Sequence, residues 1–321
     1  MSNEKGRHKL FDRQHLLARF EPIHSFLSES EGAASMKVWF QALRVKHWAK
    51  NFFVLAPFLL GAQIGLNEGL LRSLEGAFLF CTMSSAIYLL NDIVDVSRDR
   101  KHPVKRYRPI ASGKITPRQA ASVCVALVAF SILAASGLGW PFFLILCLYG
   151  VNNILYSFYL KTKTVLDVMS IAIGFVMRVY AGGELAYVAV TNWLVVCVFA
   201  LALMIGFGKR RAEIEDLGET AGQARSVNES YSIQKLNILL GSAASITIMA
   251  YMLYAISPET RVLHGTDKII FTIPLVMYCI YRFLLKVQEE ARGEPVELIL
   301  GDKGFVLAGT LWLIAILYLM H

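Results

Sequence analysis

The chain has 321 residues, of which 55% are hydrophobic and 17% charged, with a mean hydropathy of +0.50 and a formal net charge of +8. A charged fraction well below the roughly 25% of soluble domains excludes an ordinary soluble enzyme and predicts a polytopic membrane protein. In such a protein the excess of positive charge indicates basic loops and an anionic lipid or substrate, and it does not indicate nucleic-acid binding.

Residues 1–36 are polar and mixed in charge, and they contain no apolar segment typical of a cleavable signal peptide. They are predicted to form a cytoplasmic tail, either as a short surface helix or as a disordered segment. Residues 37–321 are predicted to form one transmembrane catalytic domain with an all-α fold.

Nine apolar runs in this domain are long enough to cross a membrane as helices, and together they predict a nine-helix bundle. Their approximate bounds are 48–64, 74–92, 118–136, 140–160, 164–183, 191–207, 236–256, 268–285 and 304–320.

The orientation of the bundle follows from the lysines and arginines of its loops. The segment before the first run and the loops after runs two, four, six and eight are rich in these residues, beginning with Lys37 and Arg44. The loops on the opposite side hold only Arg72, Arg261 and Lys268. This asymmetry predicts a cytoplasmic N-terminus and an external C-terminus.

A cluster of acidic residues closes the second run. If that helix continues beyond the membrane, Asp92, Asp95 and Asp99 lie on one face because they are three and four residues apart. Three neighbouring carboxylates repel each other unless a cation lies between them, and hard oxygen ligands suit Mg²⁺, with Mn²⁺ as an alternative. A solvated helix end is the competing interpretation. We expect a catalytic metal site.

Basic residues follow the aspartates at once. Lys105, Arg106 and Arg108 come within ten residues of Asp99. Arginine binds phosphate in a bidentate manner and lysine acts as a point charge, so the two groups together predict a site for magnesium and a polyphosphate. Anchoring of the loop at the cytoplasmic surface explains some of these cations as well.

Other helix ends on the same side supply further candidate substrate-binding residues. They are Lys46, Lys50 and Asn51 before the first run, Tyr156, Lys161 and Asp167 between runs four and five, and Lys209, Arg210 and Glu213 at the end of run six. Arg178 lies inside run five, eleven residues after Asp167 and thus on the same helical face. An arginine within a membrane helix is costly and therefore a candidate for function, with a structural ion pair as the alternative.

The pattern Asn91-Asp92-x-x-Asp95-x-x-x-Asp99 resembles the NDxxDxxxD signature of the UbiA superfamily of intramembrane prenyltransferases. The resemblance implies nine helices, a magnesium-diphosphate site at the cytoplasmic face and a lateral route for a polyprenyl tail. It also implies that Asn91 joins the three aspartates as a metal ligand.

Aromatic prenyltransferases of this superfamily carry a second aspartate-rich motif after the sixth helix, where this chain reads "GKRRAEIED". This basic segment resembles the decaprenyl-phosphate phosphoribosyltransferase branch, as do "RVKHWAKN", "DRKHPVKRYRPIASG", "YSFYLKTKTVLD" and "GFVMRVYAGG". The resemblance implies transfer of 5-phosphoribosyl from 5-phosphoribosyl 1-diphosphate to a polyprenyl phosphate in a bacterial inner membrane, as a step toward arabinan precursors of the cell wall.

On this hypothesis Lys105, Arg106 and Arg108 bind the donor phosphates. The remaining phosphate contacts are divided among Lys46, Lys50, Lys161, Lys209 and Arg210. Glu213 or Asp167 holds a ribose hydroxyl or orients a lysine. Two alternatives stay open, a UbiA-type enzyme that prenylates an aromatic acceptor and a lipid or anion transporter, and so does a homo-oligomeric state.

Overall fold

The computed structural model describes residues 35–61, 68–217, 230–289 and 299–320. Within these ranges every regular element is a helix, so the predicted all-α fold is confirmed. The predicted N-terminal tail lies almost entirely outside the described residues.

Twelve α-helices occupy the described ranges. Their bounds are α1 Met36–Ala42, α2 Ala56–Leu60, α3 Glu68–Val94, α4 Val96–Asp99, α5 Pro117–Ser136, α6 Trp140–Phe158, α7 Leu166–Ala186, α8 Asn192–Leu217, α9 Ile233–Ile256, α10 Pro258–His264, α11 Ile273–Glu289 and α12 Lys303–Met320. Four 3₁₀ helices join them: Val45–Leu55, Lys105–Tyr107, Leu160–Thr162 and Lys268–Thr272.

Eight helical segments among the described residues are long and apolar enough to cross a membrane. They correspond to runs two to nine of the sequence. The largest change in bounds concerns α8, which extends to Leu217 rather than ending near residue 207. Lys209, Arg210 and Arg211 therefore lie within the last three turns of a helix and not in a loop.

The first predicted run differs from the expected α-helix. Its described part is an 11-residue 3₁₀ helix, Val45–Leu55, followed by the five-residue helix α2. Pro57 lies in the first turn of α2, where its missing N–H costs no helical hydrogen bond. A 3₁₀ helix rises about 2.0 Å per residue and an α-helix about 1.5 Å, so a straight path through both covers about 30 Å.

The described residues divide into two compact units. The first contains residues up to Ala49 together with Leu79–Ala134. Its core is formed by Ala42, Leu89, Val96, Ile110, Ile115 and Ala120. Polar contacts also hold it together, because the Ser85 hydroxyl donates to the Leu43 carbonyl at 2.8 Å and accepts from Trp48 Nε1 at 3.1 Å.

The second unit contains Lys50–Phe78 and Ala135–His321. One of its buried clusters brings together α7, α8, α9 and α11 through Val168, Met204, Phe207, Leu240 and Phe283. Gly182 on α7 permits a close backbone approach, since a Cβ at this position would collide with the Val54 carbonyl.

An ion pair fixes the start of α12 within the second unit. Arg282 Nη2 donates to Asp302 Oδ2 at 2.7 Å, and Arg282 Nε lies 3.1 Å from both Asp302 oxygens. Asp302 also accepts the backbone N–H of Phe305 at 2.8 Å. These hydrogen bonds lower the pKa of the Asp302 carboxyl to about 2, so this N-terminal contact of α12 stays ionised at physiological pH.

Candidate active site

Two of the three motif aspartates converge on one arginine. Helix α3 ends at Val94 and α4 begins at Val96, so the chain turns at Asp95 between them. Asp92 and Asp99 are 3% and 2% exposed, and Arg108 Nη1 donates to Asp92 Oδ1 at 3.1 Å and to Asp99 Oδ2 at 2.7 Å. The helix that was expected to continue through all three aspartates is therefore interrupted at Asp95.

Asp95 has a different environment. Its carboxylate lies 3.9 Å from Arg98 Nη1 on α4, and its side chain is 23% exposed. Asn91 is half-buried on α3 and its backbone carbonyl accepts the N–H of Asp95. Metal binding by Asn91 and Asp95 stays a prediction.

Arg44 is the second arginine that forms a salt bridge with Asp92. From the sequence, Arg44 was assigned only to the basic loops. Its Nη2 donates to Asp92 Oδ1 at 2.6 Å, and its guanidinium carbon lies 4.5 Å from the centroid of the Tyr88 ring. Arg44 follows directly after α1 and its C-cap Leu43, with a positive φ of 52°. No local sequence signal could have found this contact, since Arg44 and Asp92 are 48 positions apart.

Asp92 and Asp99, called the aspartate pair below, fit a magnesium ion whose other ligands are water molecules and substrate phosphates. Among the described residues, no three His, Cys, Asp or Glu side chains are grouped so that they could hold a metal ion. Mg²⁺ in phosphate-binding sites is commonly held by one or two carboxylates plus waters and substrate phosphates. Asp92 and Asp99 supply two such carboxylates, and the arginines contact only Oδ1 of Asp92 and Oδ2 of Asp99.

The basic loop after α4 is ordered by a histidine. His102 Nδ1 accepts the backbone N–H groups of Val104 at 3.1 Å and Lys105 at 3.2 Å. Partial burial lowers the pKa of His102, as does the charge of Lys105, and a neutral imidazole can accept both bonds. Arg106 is exposed and donates to the Tyr107 hydroxyl at 2.7 Å, whereas Arg108 reaches Asp92 and Asp99.

Two substitutions of His102 should show whether the loop needs only a hydrogen-bond acceptor at the position of Nδ1 or the whole imidazole ring. In His102→Asn the amide oxygen takes the place of Nδ1, and we expect activity within about threefold of wild type. In His102→Gln the oxygen extends to the position of Nε2, the two N–H groups lose their acceptor, and activity should fall about tenfold. Steady-state rates of the two purified variants provide the measurement. An equal loss in both variants would contradict a role for Nδ1.

A buried network in the second unit connects four more polar residues. Arg210 Nε donates to Asp167 Oδ2 at 2.7 Å and Arg210 Nη1 donates to Glu213 Oε2 at 2.6 Å. The Tyr231 hydroxyl donates to Asp167 Oδ1 at 2.9 Å and accepts the Val165 N–H at 2.7 Å. Arg210 is thus held by two carboxylates, which does not favour the direct phosphate binding expected from the sequence. Tyr231 is a further residue that sequence reasoning missed.

Arg178 on α7 is hydrogen-bonded by three protein groups. Its Nε donates to Asn51 Oδ1 at 2.8 Å, Nη1 to the Gly174 carbonyl at 2.7 Å, and Nη2 to the Tyr149 hydroxyl at 2.8 Å. The Tyr149 ring also lies 4.7 Å from the guanidinium carbon. These three hydrogen bonds join Arg178 to uncharged groups, and substrate contacts by Arg178 and Asn51 stay predictions.

The remaining predicted residues lie on four different helices. Lys46 and Lys50 are exposed on the first 3₁₀ helix, and Lys161 is half-buried on Leu160–Thr162. Lys209 precedes Arg210 on α8 and is half-buried, whereas Tyr156 on α6 lies within electrostatic range of Arg210. Substrate contacts by these five residues stay predictions.

Comparison with known proteins identifies the family. The model of the UbiA prenyltransferase family matches residues 52–299. A decaprenyl-phosphate phosphoribosyltransferase of Corynebacterium glutamicum is 34% identical over 294 residues, covering 88% of this chain and 86% of that protein. The protein of the same name from Mycolicibacterium smegmatis is 29% identical over 283 residues, covering 85% and 89%.

A solved structure agrees in fold. The UbiA homolog from Archaeoglobus fulgidus bound to GPP and Mg²⁺ is similar with a TM-score of 0.67 and 20% identity, covering 88% of this chain and 99% of that one. This likeness concerns the arrangement of helices, and the membership rests on the sequence matches. Since the family model spans most of the chain, the protein belongs to the UbiA prenyltransferase family.

Proposed function

We propose that this protein is a membrane-bound phosphoribosyltransferase that moves 5-phosphoribosyl from 5-phosphoribosyl 1-diphosphate to a polyprenyl monophosphate. The observation that carries the proposal is the 34% identity to the corynebacterial enzyme over most of both chains. The products are polyprenylphosphoryl-5-phosphoribose and diphosphate. Residues 37–321 act together as the catalytic domain.

The aspartate pair is the proposed position of the metal. Asp92 and Asp99 would hold Mg²⁺, or Mn²⁺ in its place, with Asn91 and Asp95 as additional predicted ligands. When bound, the ion neutralises negative charge on the diphosphate as it departs. Support comes from the two convergent carboxylates and from the family member bound to GPP and Mg²⁺.

The chain's own residues position the reactants. Arg108 fixes the separation of Asp92 and Asp99, while Lys105, Arg106 and Lys46 attract the donor phosphates. Lys50, Lys161 and Lys209, together with Lys46, would divide the remaining phosphate contacts between the donor and the lipid. In the reaction a lipid phosphate oxygen forms a bond to ribose C1 while the bond from C1 to the diphosphate oxygen breaks. The attacking oxygen is already anionic near neutral pH, so no strong general base is required and the rate depends on positioning and electrostatics.

The side of the membrane follows from the distribution of charge. Basic residues accumulate next to the aspartate motif and at the same ends of the later helices, which supports a cytoplasmic active site and N-terminus. With Val45–Leu55 and α2 as a first crossing, the proposed topology has nine crossings and an external C-terminus.

An assay with a radiolabelled donor tests both the proposed reaction and the side of the membrane on which it takes place. Inside-out membrane vesicles that contain the protein should transfer radiolabel from 5-phosphoribosyl 1-diphosphate to decaprenyl phosphate. Chelation of divalent ions should stop the transfer and added Mg²⁺ should restore it. Sealed right-side-out vesicles should show little transfer, because the donor cannot cross the membrane.

Other results would contradict the proposal. Label-free lipid in both kinds of vesicle, together with prenylation of an aromatic acid by a prenyl diphosphate, would favour the prenyltransferase alternative. Movement of intact lipid or donor across the membrane without any covalent product would favour a transporter.

A further inference from the structure

The aspartate pair and its two arginines form a cluster without net charge. Arg44 and Arg108 form salt bridges with Asp92, and Arg108 forms another with Asp99, over distances of 2.6 to 3.1 Å. All four residues belong to the first compact unit. We propose that Arg44 and Arg108 exclude a free divalent cation from the aspartate pair and admit the metal only together with a diphosphate. The inference rests on the proposed function and specifies how its metal is bound.

Charge compensation explains why a free cation is excluded. Each carboxylate of the pair already has a guanidinium partner, so the pair lacks the excess negative charge that would draw a dication out of water. Mg²⁺ gives up its water molecules reluctantly, and each guanidinium group repels it at short range. Lys105 adds positive charge nearby, because Lys105 and Asp99 both lie within electrostatic range of His102.

The arginines are also the more exposed members of the cluster. The Asp92 side chain is 3% exposed and the side chain of Arg44 is 22% exposed. The corresponding values are 4% for Asp99 and 30% for Arg108. An ion that arrives from solvent therefore meets positive charge before it reaches a carboxylate. The same charge attracts an anion, and arginine forms charge-assisted hydrogen bonds with phosphate oxygens, so a diphosphate favours the approach of the cation that it carries.

Arg44 is fixed in place by one face of α3. Tyr88 and Ser85 lie four and seven residues before Asp92, so their side chains share a helical face with it. The Tyr88 ring packs against the Arg44 guanidinium, and the Ser85 hydroxyl donates to the carbonyl of Leu43, the residue before Arg44. Arg44 is thus held through both its backbone and its side chain, and a cation cannot reach Asp92 by displacing a mobile arginine.

Equilibrium dialysis of the full-length, detergent-solubilised protein against radioactive Mn²⁺ tests the proposal. Inorganic diphosphate is the second ligand, present at the same free concentration on both sides of the dialysis membrane. We expect wild type to bind Mn²⁺ at least about 100-fold more tightly with diphosphate than without it. Asp92→Asn should lose the bound Mn²⁺ under both conditions, because the substitution removes a ligand of the aspartate pair.

Arg44→Gln tests the contribution of the charge. Without diphosphate this variant should bind Mn²⁺ about tenfold more tightly than wild type, since one repelling charge has been removed. Arg44→Lys keeps the charge and should bind free Mn²⁺ as weakly as wild type. Arg118→Gln is the matched control, because it removes an exposed arginine from the first turn of α5 in the same unit and should leave both affinities unchanged. If Arg44→Gln does not fold, Arg108→Gln measures the same effect.

Three results would overturn the inference. They are equal affinities of wild type for Mn²⁺ with and without diphosphate, an Arg44→Gln variant that binds free Mn²⁺ no more tightly than wild type, and an Asp92→Asn variant that keeps its metal. Transfer of label to decaprenyl phosphate tests the proposed function separately. If label is transferred but the dialysis gives one of these results, the function stands without the inference. If the dialysis gives the expected affinities but no label is transferred, the exclusion of free metal stands and the proposed phosphoribosyl transfer is overturned.

Discussion

Asn in place of Asp92 is expected to abolish phosphoribosyl transfer, lowering kcat/KM by at least about 1,000-fold. Asp92 is the motif carboxylate on which two guanidinium groups meet, Arg44 at 2.6 Å and Arg108 at 3.1 Å, and it is almost fully buried. The amide removes a proposed metal ligand and leaves two neighbouring positive charges without their shared partner. Single-turnover transfer of labelled donor measures the loss.

Asp302→Asn is the matched control for Asp92→Asn. Asp302 is also a buried carboxylate paired with an arginine, but it fixes the start of α12 and belongs to neither polar network of the candidate site. We expect reduced thermal stability with near wild-type rate constants. Activity of Asp92→Asn above a tenth of wild type would contradict the assignment of Asp92 to the metal.

Arg210→Met should produce the largest loss of stability, about 3–5 kcal/mol in the free energy of unfolding. The substitution leaves Asp167 and Glu213 without their cation, and Asp167 is completely buried. For a chain of this size a loss of that order lowers the thermal midpoint by about 4–7 °C. Thermal unfolding of the detergent-solubilised protein provides the measurement.

Removal of the opposing charge provides the control for Arg210→Met. In the double variant Arg210→Met with Asp167→Asn the buried carboxylate becomes neutral, so part of the lost stability should return. The transfer activity should not return, because the hydrogen bond from Arg210 to Glu213 is still missing. Equal midpoints for the single and double variants would show that the charge on Asp167 is not what destabilises Arg210→Met.

Apolar run lengths predicted eight of the long helices, since about twenty apolar residues suffice to cross a bilayer as an α-helix. Residues 48–64 met the same criterion, but their described part does not form one long α-helix. A run length does not distinguish a 3₁₀ helix from an α-helix, and the described part of this run is mostly 3₁₀. The extension of α8 to Leu217 was missed because the basic residues at its end looked like a loop.

Sequence distance explains which contacts of the site could be predicted. Asp92, Asp99 and Arg108 lie within 17 positions of one another, and their spacing suggested that they act together. Arg44 lies 48 positions from Asp92, and Tyr231 lies 64 from Asp167. Arg210 was expected to bind phosphate because no sequence pattern indicated that it pairs with Asp167, which lies 43 positions away.

Arg108 and Arg210 are both paired with carboxylates. The residues that attract an anionic donor over a distance therefore differ from the residues that fix the geometry of the site. Arg108 forms salt bridges with Asp92 and Asp99, and the charges of these carboxylates largely cancel the electrostatic potential of Arg108 at a distance. The long-range pull must then come from exposed cations such as Lys46 and Arg106. Mobile ions screen exposed charges over about 8 Å at physiological ionic strength, but they penetrate buried pairs poorly. Capture of the donor will therefore respond to ionic strength, whereas the bound geometry will not.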